Sequence, residues 1–331
     1  MNYVLLLGAG FSRNWGGWLA AEAFEYLLGC HEIRNSAALR SVLWKHQPSG
    51  GFEYALAEVQ EAYIRDQVNN KTDLESIQGA VSKMFDDMNA TFFKQRFEFQ
   101  SQIAQTVTEF LSKFDTIFTL NQDLLLEHHY LCTNLASGPY RNWNGHDLPG
   151  VRLAPNSEDH GHLNWSLNKW MPMDPREFAI KPGTQPLVKL HGSSNWEDAN
   201  RGQLLIIGGN KAREISLHPI FSWYARMFDE FLQRPNTRLM IIGYGFRDEH
   251  INEAIDRAVN DCELQIFNIS PHGSEQARSL NATRNRGQVQ VNTPLEKMFE
   301  RSLIGASRRP LDSVFGRDIT EHGKVMRFFK N

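Results

Sequence analysis

Val4-Leu5-Leu6-Leu7 runs without a break into Gly8-Ala9-Gly10, close to the first residue of the sequence. An uninterrupted apolar run is how a strand buried on both faces reads, and such strands belong to parallel sheets covered by helices. Glycines directly after it let two stretches of backbone approach closely. A strand that ends this way and passes into a helix aims backbone N–H groups at one spot, a natural seat for phosphate. The pair falls short of the dinucleotide fingerprint, because Arg13 stands where the third glycine belongs. A plain tight turn is the competing reading of these residues alone.

The same pattern recurs downstream. Residues 116–120, 187–190, 203–207, 238–242 and 264–269 read as strands, the last of them ending the clear strand signals. Residues 219–233 read as a helix with proline in its first turn, and a second helix runs from Asp248 towards Cys262. Strands alternating with helices predict an α/β fold with a Rossmann-like parallel sheet. Residues 31–113 contain few breakers and read as a helical insertion. Within it Leu74, Ile77, Val81 and Phe85 share one helical face, with Thr72 or Asp73 as the cap. Residues 137–186 are rich in Gly, Pro, Asn, Trp and His and read as an irregular lid or small subdomain, anchored by Trp143, Trp165 and Trp170. On this reading residues 1–290 form the catalytic domain. Residues 291–331 form a C-terminal extension available for assembly, and its basic end, 324–330, is a solvated tail.

With 331 residues, 41% hydrophobic and 22% charged, the chain has the composition of a globular protein. A formal net charge of -3 provides no global field for nucleic acid, so direct nucleic-acid binding is not expected. Cys30, Cys132 and Cys262 are too few for a four-cysteine zinc site and suggest no disulfide framework. A reducing, cytoplasmic setting follows. No apolar run approaches the length of a membrane span, and the opening residues lack the positive region of a signal peptide. His128-His129 and His160-Gly161-His162 have no carboxylate or cysteine at ligand spacing and read as solvated loop residues. No metal site is expected, and no paired-carboxylate motif suggests a nuclease.

Function is written at the strand ends. Ligands of open α/β sheets bind outside the carboxyl ends of the strands. Gly8-Ala9-Gly10, Asn121-Gln122-Asp123, His191-Gly192-Ser193, Gly243-Tyr244-Gly245 and Asn268 are therefore expected to meet in one crevice. In this order they resemble the sirtuin family. Gly8-Ala9-Gly10-Phe11-Ser12 is similar to the sirtuin Gly-Ala-Gly-x-Ser turn, and Thr119-Leu120-Asn121-Gln122-Asp123 to the Thr-Gln-Asn-Ile-Asp segment. Leu190-His191-Gly192 resembles the catalytic His-Gly. Gly243-Tyr244-Gly245 falls at the Gly-Thr-Ser-type turn, and Phe267-Asn268 at the ribose-contacting Asn. The chain departs from sirtuin deacylases in lacking four zinc cysteines and in carrying Arg13-Asn14-Trp15-Gly16-Gly17 after the first turn. It resembles more closely the bacterial sirtuin-like proteins of anti-phage defence, particularly in the string from Gly243 to Asn252.

That resemblance implies an NAD glycohydrolase without zinc, forming homo-oligomers and working with a partner such as a HerA-type ATPase. An NAD-dependent deacylase and a non-catalytic NAD or ADP-ribose sensor are the alternatives. It implies His191 as base, Asn121 orienting water or a ribose hydroxyl, and Asp123 accepting from the nicotinamide carboxamide. Gly8, Ala9, Gly10, Phe11 and Ser12 would line the pyrophosphate, with Gly192 and Ser193 nearby. Gly243, Gly245 and Asn268 would meet the adenosine half. Read without the resemblance, His191 is equally a turn histidine, and Asn121 and Asp123 are helix caps. Ser193 and Ser194 serve a turn or a phosphate alike, and Asp248 caps the helix that follows it.

Overall fold

The computed structural model describes residues 1–48, 51–138, 140, 143–155, 157, 165–199, 202–208, 211–287 and 292–330. In chain order its strands are β1 (Asn2–Leu7), β2 (Thr116–Thr119), β3 (His146–Asp147), β4 (Val151–Leu153), β5 (Trp170–Pro172) and β6 (Gln185–Lys189). They continue with β7 (Gly192–Glu197), β8 (Gln203–Leu205), β9 (Thr237–Ile242), β10 (Gln265–Ile269) and β11 (Leu303–Ser307). Seven of them form one sheet in the order β11-β10-β9-β1-β2-β6-β3, every neighbouring pair parallel. The expected Rossmann-like α/β fold is the observed one. Val4 to Leu7 are fully buried at its centre, as their unbroken apolar run requires.

Register fixes where the strand ends lie. Leu7 pairs with Thr119 on one side and Ile242 on the other. Thr119 pairs with Lys189, Ile242 with Ile269, and Ile269 with Ser307. Six strands thus finish in one row, and whatever follows each emerges along one edge. From β1 the sheet grows through β2 and β6 in one direction and through β9, β10 and β11 in the other. Strand order therefore reverses between β1 and β9, where open α/β sheets hold their ligands.

β4, β5, β7 and β8 make a second, smaller sheet. Only Leu190 and His191 separate β6 of the first sheet from β7 of the second. The turn needs Gly192, whose φ is +78° and on which a Cβ would run into the Leu204 carbonyl. Residues 137–186, expected to form an irregular lid or small subdomain, contain regular strands where described. Their described part supplies β3 to one sheet and β4 and β5 to the other, with Trp165 stacked on Trp170 at 4.9 Å. Trp143 Nε1 donates to the Ser112 carbonyl at 2.9 Å. The pieces are short strands without a clear alternation, so the sequence hides them. His160-Gly161-His162 lie outside the described residues, as does Gly209 after β8.

Between β1 and β2 the chain forms helices Ala20–Gly29, His31–Arg34, Ala37–His46, Phe52–Arg65 and Gln67–Phe92. Ile77, Val81 and Phe85 are buried on the face their spacing predicts. The cap is not Thr72 or Asp73, however. Asp66 accepts from the Asn69 N–H at 3.2 Å, and the helix begins there with polar turns that carry no apolar period. His128 and His129 end helix Leu125–His129 half-buried, with His129 stacked on Phe97 at 5.3 Å; they are not solvated loop residues.

The C-terminal segment is not an appendage. β11 closes the sheet against β10, Val325 and Phe328 are buried, and the Tyr3 hydroxyl donates to the Phe329 carbonyl at 3.0 Å. The basic charges of 324–330 surround an apolar anchor. Gly305 and Ser307 dilute the apolar signal of β11, which is why no strand is read there.

Candidate active site

The row of strand ends opens into a cleft of about 1880 Å³. Gly8, Ala9, Gly10, Asn121, Gln122, Asp123, His191, Gly243 and Gly245 all line it. The convergence expected from the sequence is therefore present, with a different division of labour among the residues.

The glycines act first on the backbone. A Cβ on Gly8 would sit 2.6 Å from Tyr244 Cα, and one on Gly10 would sit 2.7 Å from Gly243 Cα. Gly243, at φ +67°, packs its own Cα face against the Gly10–Phe11 peptide. Two turns are thus pressed together at the β1/β9 reversal, and the Gly8 and Gly10 N–H groups donate to the Ile242 and Gly243 carbonyls at 3.0 Å each. Those two amides are consumed by the seam, so the expectation that they face phosphate is corrected. Phe11 is core, its ring tilted against Trp15 with centroids 5.0 Å apart, and does not line the cleft. Ser12 is buried behind the turn, where its hydroxyl bonds Asp123 and accepts from Asn121.

Asn121 Nδ2 donates to the Gly8 carbonyl and to Ser12 Oγ, both at 3.0 Å. A carbonyl only accepts, so the NH₂ must face it and Oδ1 is the atom left over. Asp123 Oδ1 accepts from the Leu125 N–H at 3.1 Å, so it does cap the helix start as well as line the cleft. Burial raises its carboxyl above the usual range, with Lys189, Ser12 and the Leu125 amide pulling the other way. Beneath it the Lys189 ammonium bonds the Asp123 carbonyl at 2.6 Å and the Glu127 carboxylate, both partners of the ion pair being fully buried. Ser193 is also down there, donating to Glu127 at 3.0 Å, while Gly192 serves the inter-sheet turn. Neither lines the cleft. Ser194 likewise accepts from Asn89 at 3.0 Å.

Asn268 is fully buried and outside the cleft. Its Nδ2 donates to Ser270 Oγ at 3.1 Å and the Gly273 carbonyl at 2.8 Å, and so shapes the Ser270–His272 turn that does line it. It supports the wall of the cleft from behind.

His191 sits at the joint between the two sheets, 2% exposed. Its Nε2 lies 3.3 Å from Nε2 of His250, in the first turn of helix Glu249–Cys262. Asp248, before that helix, makes no capping bond; its carboxylate takes the Lys211 ammonium at 2.6 Å. Lys211 also reaches Glu53 of helix Phe52–Arg65 at 3.0 Å. Burial lowers His191 to about 3, assisted by Lys211 and His250 and opposed by Asp248. Burial lowers His250 as well. For Asp248 burial pulls upward, but His191, Lys211 and His250 outweigh it and its carboxyl falls below the usual value. Both imidazoles are thus neutral at neutral pH beside two carboxylates and one ammonium. Atoms of His191, Asp248 and His250 lie within 4.8 Å of one another, yet the carboxylate already carries a cation in Lys211.

His250, Lys211, Glu53, Lys189 and Glu127 are absent from the sequence expectations. His250 alone had a signal, lying two residues after Asp248 in the string that follows the Gly243 turn. The opposite wall is apolar, with Phe24, Phe52, Met84, Phe85 and Met88 from the helices between β1 and β2 and Trp18 from the loop before them. Among the described residues no helix is long and apolar enough to cross a membrane.

No curated protein matches the chain. A family model described as the SIR2-like domain matches residues 115–287, just over half of it. The matched stretch runs from β2 through β10 and includes Asn121, Asp123, His191, His250 and Asn268. The chain belongs to the SIR2-like domain family.

Proposed function

We propose that the protein is an NAD glycohydrolase, releasing nicotinamide and ADP-ribose. The observation that carries the reading is that Asn121, Asp123 and His191 line one cleft at the β1/β9 reversal in a SIR2-like chain. The bond to be broken joins C1′ of ribose to a pyridinium nitrogen. Its electron pair leaves with the ring, which becomes neutral nicotinamide, so no general acid is needed. Water adds to C1′ and gives up one proton. Asn121 Oδ1, fixed by the two bonds on its Nδ2, orients that water or a ribose hydroxyl. His191, held neutral by burial, accepts the proton. Asp123 takes the carboxamide N–H. The Gly8–Gly10/Gly243 seam offers a surface without side chains over which the pyrophosphate passes. The apolar wall keeps bulk water from the cation-like ribose.

The proposal extends to restraint of this activity by self-assembly or by a HerA-type ATPase, in cytoplasmic anti-phage defence. Incubating NAD with the purified protein, alone and with such a partner, and separating the products by chromatography tests it. Nicotinamide and ADP-ribose are expected in equal amounts, formed at least about a hundredfold more slowly by His191→Ala. NAD left intact in every arm, or full turnover by His191→Ala, overturns the reading.

A further inference from the structure

Hydrolysis of NAD releases one proton, and the geometry around His191 bears on which ring nitrogen receives it. Its Nε2 faces Nε2 of His250 at 3.3 Å. Two lone pairs at that distance repel, and two N–H groups collide, so one proton belongs between the rings. His191 Nδ1 has no bonding partner among the described residues. If His191 carries its proton on Nε2 and donates it to His250, the free nitrogen is Nδ1, and the ring is locked in the basic tautomer. A second group that holds the distal N–H is the usual way a histidine base is oriented.

The charges around the pair agree. Asp248 and Glu53 contribute two negative charges and Lys211 one positive charge. Glu253, on the helix of His250, adds a further negative field, and the Tyr244 hydroxyl donates to the Asp248 carbonyl. With both rings neutral, Asp248 and Glu253 oppose the burial that keeps them so, and Lys211 reinforces it.

We propose that His250 is a positioning residue for His191, accepting its Nε2–H so that Nδ1 is the base. On this arrangement the water bound for C1′ gives its proton to Nδ1, and the resulting positive charge spreads over both rings through the Nε2–H to His250 bond. This rests on the NAD glycohydrolase reading for its chemistry and on the His191–His250 contact for its geometry.

The test has one arm that needs no substrate. Long-range proton–nitrogen NMR on ¹⁵N-histidine protein at neutral pH reports each ring's tautomer. Wild type is expected to show His191 protonated on Nε2 and His250 on Nδ1. In His250→Ala, His191 is expected to lose its fixed tautomer, and in His250→Gln to keep it, because the Gln carbonyl still accepts. The kinetic arm follows NAD hydrolysis. His250→Ala is expected to lower kcat between tenfold and a hundredfold with KM changed less than threefold, and His250→Gln to recover most of that loss. His191 protonated on Nδ1 in wild type, or an Nε2–H tautomer unchanged in His250→Ala, overturns the proposal. So does a His250→Gln variant no faster than His250→Ala although both fold. If wild type hydrolyses no NAD while the tautomers are as expected, the glycohydrolase reading fails and the histidine pair stands.

Discussion

Along the Gly8–Gly10/Gly243 seam the cleft is walled by bare backbone, whereas around His191 it is walled by buried side chains that carry protons and charge. The seam is solved by subtraction: two turns meet because three residues have no Cβ, and the amides freed by that closeness bond across the seam. The histidine side is solved by addition, with Lys211, Asp248, Glu53 and His250 brought from three separate elements around one ring. Sequence motifs of the first kind read as ligand sites because they sit at a strand end, yet their first duty here is packing. The two sides should therefore fail differently. Gly243→Val places a branched side chain at φ +67° against the Gly10–Phe11 peptide, and should cost on the order of 4 kcal/mol in urea unfolding. His191→Ala should leave the unfolding midpoint close to wild type while lowering NAD hydrolysis by about 10²–10⁴-fold, the usual loss for a general base. A stable Gly243→Val variant, or an unstable but active His191→Ala variant, breaks the comparison.

Beneath both sides lies the Lys189–Glu127 pair, with Ser193 on the same carboxylate. Glu127→Leu leaves an ammonium buried with only the Asp123 carbonyl, and should cost about 3–5 kcal/mol. Adding Lys189→Met should return most of that loss, since a buried pair replaced by apolar groups is often neutral. Equal instability of the single and double variants would assign the pair a packing role instead of an electrostatic one.

The acid limb of stability sharpens the contrast further. His191 and His146 are held neutral down to about 3 and about 4 in the folded chain, burial being the leading cause in each case. Unfolded, each binds a proton near 6.5. Between those values the unfolded state holds more protons, so stability rises with pH across the window and levels off above about 6.5. Urea midpoints taken from pH 4.5 to 7 should show this, and the slope should be shallower in His146→Leu. The same slope in that variant would remove His146 from the account.

Much of the scaffold was legible because its signals are local. The apolar runs of β1, β9 and β10 and the Pro-started helix Pro219–Leu232 each declare themselves within a few residues. The convergence of Asn121, Asp123, His191 and Gly243 was legible too, because strand ends in a parallel sheet must share an edge. What was not legible is set by tertiary partners. Asp248 looks like a helix cap until Lys211 arrives from another helix to claim it. Phe11, Ser193 and Asn268 belong to the motifs expected to line the site, but the alternation of strands and the tightness of the turns send them away from the cleft. β11 depends on β10 for its identity, since Leu303–Ser307 has too little apolar pattern to announce a strand.

The smallest expected effect concerns which side of the contrast the helices between β1 and β2 belong to. Glu53 is their one charged contribution to the Lys211 ion pairs, and its side chain is 35% exposed. An ion pair that open to water contributes less than about 1 kcal/mol, so Glu53→Gln should shift the urea midpoint little. Lys211 keeps Asp248 in that variant, so the histidines stay in place. One negative charge is nevertheless lost from the Lys211 ion pairs beside the rings that accept a proton in the proposed hydrolysis. Through a partly solvated path such a charge changes the barrier by less than about 1.4 kcal/mol, which is under tenfold in rate. A threefold to fivefold loss of kcat with unchanged KM is the expected result, and it should shrink as salt is raised. No kinetic change at low salt would place the helices with the seam, as structure that shapes the cleft without acting on its protons.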